Sequence, residues 1–276
     1  MKMKKHIYRP IEALLERVID ETPNIKTFVI KPLEPFSFKT GQFVELVVPG
    51  VGEAPFTPSS SPLKTDKIEI TIMKAGFVTD RLHAMKGGEK LGIRGPYGTS
   101  YPVESFHGKE VLILGGGVGL APLRSLLYTL LSDVSKFTKI ILAYGSKTPG
   151  DVVYKYLFPE WNKTRGLEIL KSVDVCPVDM DWEGEVGLVT CLLDKAKFDP
   201  QKTAAVVCGP PVMMKFSTMK LISLGFDPKD IYLSMEANMS CGLGKCGHCQ
   251  IGEYFICKDG PVFTYDKLKH IGDPFV

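Results

Sequence analysis

The chain has 276 residues, of which 44% are hydrophobic and 24% charged, and its formal net charge is +3. This length accommodates two domains and an appended module. The small net charge argues against nucleic acid or an anionic membrane surface as a partner, and no run reaches the roughly 20 apolar residues of a membrane span. The basic start at residues 1–5 is not followed by the apolar segment of an export signal, so we expect a cytoplasmic protein.

Short strand-like runs, punctuated by proline and glycine, fill the first third of the chain. They are β-branched or alternate between apolar and polar residues, and they occupy residues 26–31, 42–48 and 67–73. This pattern is typical of a small antiparallel barrel.

The pattern changes at Gly108, where wholly apolar strands begin to alternate with helical stretches. The expected strands occupy residues 110–114, 139–144, 167–171 and 204–208, and a helix is expected over 121–132. Apolar strands that alternate with helices predict a parallel sheet covered on both faces.

A glycine-rich turn links the first of these strands to the expected helix. It comprises Gly115, Gly116, Gly117, Val118 and Gly119. Glycines permit a tight turn and let a phosphate approach the backbone at the positive end of a helix. Close packing of helix on strand would explain a glycine-rich turn about as often, but the strand and helix that flank this one favour a nucleotide site.

Four of the seven cysteines lie near the end of the chain with the spacing C-x4-C-x2-C-x7-C. They are Cys241, Cys246, Cys249 and Cys257. The first three have the plant-type spacing of a [2Fe–2S] cluster, with glycines between them that allow a tight loop. A structural zinc site is the alternative, since zinc also accepts four thiolates, but zinc sites usually pair two C-x2-C units. The clustering of the four cysteines favours metal binding over disulfide formation. It therefore indicates a reducing compartment.

The order of barrel, nucleotide sheet and cysteine loop resembles that of ferredoxin–NADP reductase-type flavoproteins with a C-terminal [2Fe–2S] module. Within that superfamily, residues 235–249 and 257–263 look most like the γ (diaphorase) subunits of NiFe hydrogenases and sulfhydrogenases. One of the subunits of anaerobic sulfite reductase and the electron-transfer subunit of dihydroorotate dehydrogenase are related. The resemblance implies an FAD-binding β-barrel domain at 1–108, an NAD(P)-binding α/β domain at 109–233 and a [2Fe–2S] module at 234–276.

Two segments of the barrel resemble the family's flavin motifs. Residues 54–60 are similar to R-x-[YF]-[ST]-x-[SA]-[ST], and residues 76–82 to G-x-[VG]-[ST]-x-x-L. The resemblance therefore implies FAD contacts at Phe56, Thr57, Ser59, Ser60, Gly76, Val78 and Thr79. The arginine that neutralises the flavin phosphate in the family is Ala54 here, and Arg81 is a candidate replacement.

Two further segments resemble nucleotide contacts of the family. Cys208, Gly209 and Pro210 belong to a C-G-P-P segment that the resemblance places at the nicotinamide end, so Cys208 is a candidate near the reacting carbon. A buried cysteine before a rigid turn is the plainer interpretation of the same residues. Lys147 follows another strand, where it is equally suited to attract a 2′-phosphate or to lie in solvent.

The resemblance implies an oxidoreductase subunit that passes electrons between NAD(P)H and a partner iron–sulfur or hydrogenase subunit through FAD and a [2Fe–2S] cluster. The alternatives are an electron-transfer subunit of the dihydroorotate dehydrogenase or sulfite reductase type, and a subunit that has lost its flavin and acts as an electron wire or scaffold.

Overall fold

The computed structural model describes residues 7–275, so the basic start considered as an export signal lies outside the described residues. Six antiparallel strands form the first sheet, in the spatial order β4-β3-β6-β1-β2-β5. The strands are β1 Ile11–Thr22, β2 Ile25–Pro32, β3 Phe43–Val48, β4 Gly52–Phe56, β5 Ile68–Met73 and β6 Lys90–Tyr97.

Alternating burial along these strands explains why they enclose a core. In β1, Ile11, Ala13 and Leu15 are buried whereas Glu12 between them is exposed, because successive side chains of a strand point to opposite faces. The buried residues pack with those of the other strands, such as Phe28. The prediction of an antiparallel barrel is confirmed.

The second sheet has seven strands in the order β10-β9-β8-β7-β11-β12-β15. These are β7 Glu110–Gly116, β8 Lys139–Ser146, β9 Leu167–Val173, β10 Glu185–Val186, β11 Thr203–Cys208, β12 Ile231–Ser234 and β15 Val262–Thr264. All pairings are parallel except that of β12 with β15. The parallel sheet predicted from residues 110–114, 139–144, 167–171 and 204–208 is confirmed.

Helices cover both faces of the second sheet. The α-helices of residues 7–275 are α1 Phe77–His83, α2 Leu120–Leu131, α3 Phe158–Trp161, α4 Pro211–Ser223, α5 Ile256–Asp259 and α6 Tyr265–Leu268. Short 3-10 helices occupy Val103–Phe106, Gly117–Gly119, Val134–Lys136, Pro149–Asp151, Lys155–Leu157, Val189–Asp194 and Pro228–Asp230. Leu123 and Leu127 of α2 pack into the core on one face, and Met214 and Leu221 of α4 into the core on the other. The helix predicted over 121–132 corresponds to α2.

The C-terminal segment contributes to the second sheet as well as forming the cysteine loop. A small hairpin of β13 Gln250–Ile251 and β14 Tyr254–Phe255 follows the first cysteines, and β15 then pairs with β12. The domain boundaries predicted between residues 108 and 109 and between residues 233 and 234 stay predictions. No helix in residues 7–275 is long and apolar enough to cross a membrane.

Candidate redox-cofactor site

The predicted nucleotide turn lies between the buried strand β7 and helix α2. Gly115 and Gly116 are the last residues of β7, and Gly117 has the left-handed φ of +54° that reverses the chain. A Cβ on Gly119 would lie 2.5 Å from the carbonyl oxygen of Cys208, so only glycine fits there. Val118 is half-buried. The turn therefore brings the amino-terminal end of α2 to the carboxyl end of β7, where a phosphate site is expected.

The second predicted nucleotide segment lies directly beside the first. Cys208 ends β11 and pairs in register with Gly115 of β7. A Cβ on Gly209 would lie 3.1 Å from the backbone nitrogen of Gly116, and Pro210 immediately precedes α4. The structure thus brings the two segments together, backbone against backbone, at the edge where open α/β sheets bind their ligands.

Cys208 itself is a neutral thiol at physiological pH. Its side chain is buried, and burial, followed by the nearby Glu236 carboxylate, raises the pKa of Cys208 to about 12. Because nucleophilic attack requires the thiolate, this side chain is suited to packing or to contact with a bound ring.

Lys147 faces an acidic side chain at the same edge of the sheet. The amide of Val175 donates to the carbonyl of Lys147 over 3.0 Å, which holds the segment after β9 against the segment after β8. Partial burial raises the pKa of Asp174 and the Lys147 ammonium lowers it, so the two charges interact. The positive charge expected to attract a 2′-phosphate is thus offset by a carboxylate.

The predicted flavin segment at the end of β4 divides into two parts. Phe56 and Thr57 are half-buried at the rim of the barrel. Ser59 and Ser60 are buried, and their hydroxyls are hydrogen-bonded within the barrel: Ser59 Oγ lies 3.2 Å from Thr71 Oγ1, and Ser60 Oγ accepts from the amide of Glu69 over 3.0 Å. Phe56 and Thr57 are therefore the members of this segment placed to touch a ring at the rim.

The second predicted flavin segment begins helix α1 and lies beside β4. A Cβ on Gly52 would lie 3.5 Å from Val78, so the two flavin segments are brought together. Thr79 Oγ1 accepts from the amides of Ala75 and Gly76, each over 2.8 Å, and caps the helix. Gly76 and Arg81 are exposed.

The arginine missing at Ala54 is not replaced by Arg94, the buried arginine of the nearby strand β6. Arg94 donates to both carboxylate oxygens of Glu53, over 2.8 and 2.6 Å. Such a two-pronged pair satisfies the guanidinium group. The half-buried position of Phe56 and Thr57 is compatible with contact to a flavin ring, and exposed Arg81 stays a candidate base for its phosphates.

The first three cysteines lie on the loop before β13, here called the cysteine loop, and Cys257 lies in helix α5; the four side chains are buried to different depths. Cys249 and Cys257 are each 2% exposed, Cys241 is half-buried and Cys246 is exposed. Backbone amides point at the sulfur atoms: those of Leu243 and Lys245 donate to Cys241 Sγ over 3.3 Å, and that of Gly244 donates to Cys257 Sγ over 3.0 Å. Positive φ angles at Gly242, Gly244 and Gly247 make this wrapping possible.

The four thiols are neighbours in space: Cys246 interacts with Cys241, and Cys257 interacts with both Cys249 and Cys241. In residues 7–275 no group of three or more histidine, cysteine or acidic side chains is placed to hold a metal ion. The C-x4-C-x2-C-x7-C spacing stays the observation that favours a binuclear cluster over zinc. Amides directed at sulfur also fit a cluster, which they stabilise by hydrogen bonds.

The segment that follows Cys257 is bonded to the barrel. Thr99, just after β6, donates its amide to the carbonyl of Gly260 over 2.6 Å and its hydroxyl to that of Val262 over 3.0 Å. Sequence reasoning missed Glu45 of β3, which lies under the cysteine loop. It also gave no role to Arg124 of α2. Glu45 sits in an apolar strand pattern and Arg124 on an apolar helix, and a charge inside such a pattern is the signal that could have marked them.

Comparison with known proteins agrees with this arrangement. Three family profiles match in succession: an oxidoreductase FAD-binding domain over residues 13–101, an oxidoreductase NAD-binding domain over 113–218, and the iron–sulfur cluster binding domain of dihydroorotate dehydrogenase B over 236–269.

Curated relatives match most of the chain. The sulfhydrogenase 1 subunit gamma of Pyrococcus furiosus is 37% identical over 84% of this chain and 81% of its own length. The sulfhydrogenase 2 subunit gamma of the same organism is 36% identical over 94% of this chain and 96% of its own length. A probable dihydroorotate dehydrogenase B (NAD(+)) electron transfer subunit of Methanocaldococcus jannaschii is 32% identical over 95% and 93%.

Solved structures share the fold. The NADH-dependent reduced ferredoxin-NADP oxidoreductase superposes with a TM-score of 0.71 at 23% identity, over 97% of this chain and 94% of that one. A ferredoxin NADP+ reductase from Neisseria gonorrhoeae gives 0.67 at 21% identity, over 83% and 94%. With FAD-, NAD(P)- and iron–sulfur-binding domains in this order, the chain belongs to the ferredoxin–NADP reductase-like flavoprotein family that includes the sulfhydrogenase γ subunits and the dihydroorotate dehydrogenase B electron transfer subunits.

Proposed function

We propose that this chain is the diaphorase-type electron-transfer subunit of a larger complex, passing electrons between NAD(P)H and an iron–sulfur subunit of hydrogenase type. The observation that carries the proposal is the contiguity of the three parts. The two nucleotide segments abut at Gly119 and Cys208, helix α2 is bonded to the barrel at Ser59, and the segment that follows Cys257 is bonded to the barrel at Thr99. The hydrogenase-type partner is favoured because the sulfhydrogenase relatives match at 37% and 36% identity, against 32% for the dihydroorotate dehydrogenase relative.

Each part has its own role in this proposal. The turn of residues 115–119 and the segment of residues 208–210 hold the nucleotide phosphates and the nicotinamide, while Phe56 and Thr57 hold the flavin ring and Val78 and Thr79 its phosphate side. Flavin accepts a hydride from nicotinamide and releases single electrons to an iron–sulfur cluster, which is why it must lie between the two. No acid–base side chain is required, so the residues of this chain contribute position and exclusion of water.

We assign the cluster ligands to Cys241, Cys246, Cys249 and Cys257 and its type to [2Fe–2S], because the thiols have the plant-type spacing and backbone amides point at their sulfur atoms. Cys246 is exposed, so this part of the cysteine loop faces outward, where a partner subunit could dock. Thiolate ligands that are open to solvent suit a reducing compartment, and we place the protein in the cytoplasm.

An anaerobic titration tests the proposal. The reconstituted protein is titrated with NADH and with NADPH, and flavin and cluster absorbance are followed. We expect both chromophores to bleach. Protein with full iron and flavin content that neither nucleotide bleaches would refute the proposal. The FAD content after gentle purification distinguishes the proposed function from that of an electron wire without flavin. The identity of the co-purified subunit distinguishes the hydrogenase, dihydroorotate dehydrogenase and sulfite reductase types.

A further inference from the structure

Arg124 is a buried arginine on the helix that follows the nucleotide turn, and its partners lie in the barrel. Its side chain is 1% exposed. Nε donates to the carbonyl oxygen of Ser59 over 2.8 Å, and NH2 pairs with the carboxylate of Glu69 on β5. Burial of a charge is tolerated only where it is paired and hydrogen-bonded, as it is here.

The two ends of this contact belong to the two candidate cofactor segments. Arg124 lies on the second turn of α2, shortly after Gly119. Ser59 shortly follows Phe56 and Thr57, the rim residues of the barrel, and its amide is bonded to the carbonyl of Glu69 over 2.7 Å. A single side chain thus connects the helix that begins at the nucleotide turn with the strand end that forms the flavin rim.

Tyr154 reinforces the same connection from the nucleotide domain. The guanidinium carbon of Arg124 lies 4.2 Å from the centre of the Tyr154 ring. The hydroxyl of Tyr154 lies 2.5 Å from Thr71 Oγ1 of β5, and its amide donates to Glu21 of β1 over 2.8 Å. Tyr154 adopts a left-handed backbone with φ of +57°, an unfavourable conformation that persists only where surrounding contacts impose it.

We infer that Arg124 is a positioning residue that sets the distance between the bound nicotinamide and the flavin ring by clamping helix α2 to the barrel at Ser59 and Glu69. Because its side chain is 1% exposed, it would act through its partners in the barrel and not by direct contact with a reactant. The inference rests on the proposed function. A hydride is transferred only when the nicotinamide carbon that donates it and the flavin nitrogen that accepts it are about 3–3.5 Å apart. A displacement of about 1 Å can lower the rate about 100-fold. The planar fork of arginine serves two acceptors in fixed directions, which the single ammonium of lysine does not.

The test compares Arg124→Lys and Arg124→Gln with the parent, using Lys109→Gln as a matched control. Lys109 forms an ion pair with Asp230 over 2.8 Å that does not involve the barrel. Each protein is loaded with FAD and cluster and mixed rapidly with NADH. The limiting rate of flavin reduction, the NADH concentration at half-saturation and the long-wavelength charge-transfer absorbance of the nucleotide–flavin pair are recorded. Bleaching by dithionite reports whether the cofactors are intact.

We expect Arg124→Gln to lower the limiting rate about 100-fold and Arg124→Lys to lower it about 10-fold, with a weaker charge-transfer band and a half-saturating NADH concentration within about threefold of the parent. FAD content, iron content and dithionite bleaching stay unchanged, and Lys109→Gln matches the parent. If Arg124→Gln does not fold, Arg124→Lys carries the test. An Arg124→Lys variant with the parent's limiting rate of flavin reduction and the parent's charge-transfer band would overturn the inference. So would FAD and iron contents that fall in proportion to that rate. A parent protein that NADH does not reduce would instead refute the proposed function.

Discussion

Glu45 lies directly beneath Gly242: its carboxyl oxygen Oε1 is 3.0 Å from the position that a Cβ on Gly242 would occupy. The carboxyl group is 1% exposed, and Oε1 has no hydrogen-bond partner within residues 7–275. Burial, followed by the Glu53 carboxylate, raises the pKa of Glu45 to about 7. The contact places the cysteine loop directly on strand β3 of the barrel, so the loop that carries the cluster ligands packs against the flavin-binding domain.

Replacement of Gly242 by alanine should therefore disturb the cluster. The residue has φ of +68°, and its new Cβ would press on Glu45. Gly247→Ala is the matched control, because Gly247 has φ of +81° but nothing within 4 Å of its Cβ position. Both variants bear the backbone cost of about 1 kcal/mol, and only Gly242→Ala adds a clash. We expect iron and sulfide per chain to fall further in Gly242→Ala. Equal losses in the two variants would mean that the contact with Glu45 is unimportant.

Replacement of single cysteines should distinguish those that bind the cluster from those that do not. We expect Cys246→Ser to lose most of its iron or to change the electron paramagnetic resonance spectrum of the reduced cluster, since a thiolate ligand is replaced by a poorer one. Cys176→Ser is the control, because Cys176 is half-buried far along the chain from the cysteine loop. It should keep the iron content and spectrum of the parent. An unaltered spectrum and iron content in Cys246→Ser would remove Cys246 from the ligand set.

Asp174 should make the protein prefer NADH to NADPH. Its carboxylate offsets the charge of Lys147 and would repel a 2′-phosphate. Removal of one unit charge a few ångströms from a phosphate is worth about 1 kcal/mol in water, or roughly fivefold in relative affinity. We expect Asp174→Asn to lower the ratio of kcat/KM for NADH to that for NADPH about fivefold, while exposed Asp179→Asn on the same segment leaves it unchanged. A ratio unaffected by Asp174→Asn would place the 2′ position elsewhere.

Cys208 should resist alkylation in the native protein. Since burial raises the pKa of Cys208 to about 12, its thiolate, the reactive form, is scarce at pH 8 and becomes abundant only as pH approaches 12. After treatment with iodoacetamide at pH 8, peptide mass spectrometry should show label at half-buried Cys176 but not at Cys208, and label at both after unfolding in urea. Rapid labelling of native Cys208 would show that the end of β11 is open and the thiol available for chemistry.

Local patterns in the sequence predicted much of the fold and the candidate site. The apolar run at residues 110–114 and the glycines behind it predict a strand, a turn and a helix, because each depends on neighbours in the chain. The contact of Arg124 with Ser59 joins residues 65 positions apart and leaves no local signal. The same holds for Glu45 under Gly242, and for β15, which leaves the cysteine loop to pair with β12. Such pairings depend on how the domains pack and not on the propensity of either segment.

The most direct test of the proposed electron path is the number of electrons that one chain accepts from NADH. The isolated protein, with FAD and iron content measured beforehand, is titrated anaerobically while flavin and cluster absorbance are recorded. Flavin accepts two electrons and a [2Fe–2S] cluster one, so we expect about three electron equivalents per chain and bleaching of both chromophores. Uptake of only two, with a cluster that stays oxidised in the presence of excess NADH but is reduced by dithionite, would contradict transfer from the flavin to the cluster.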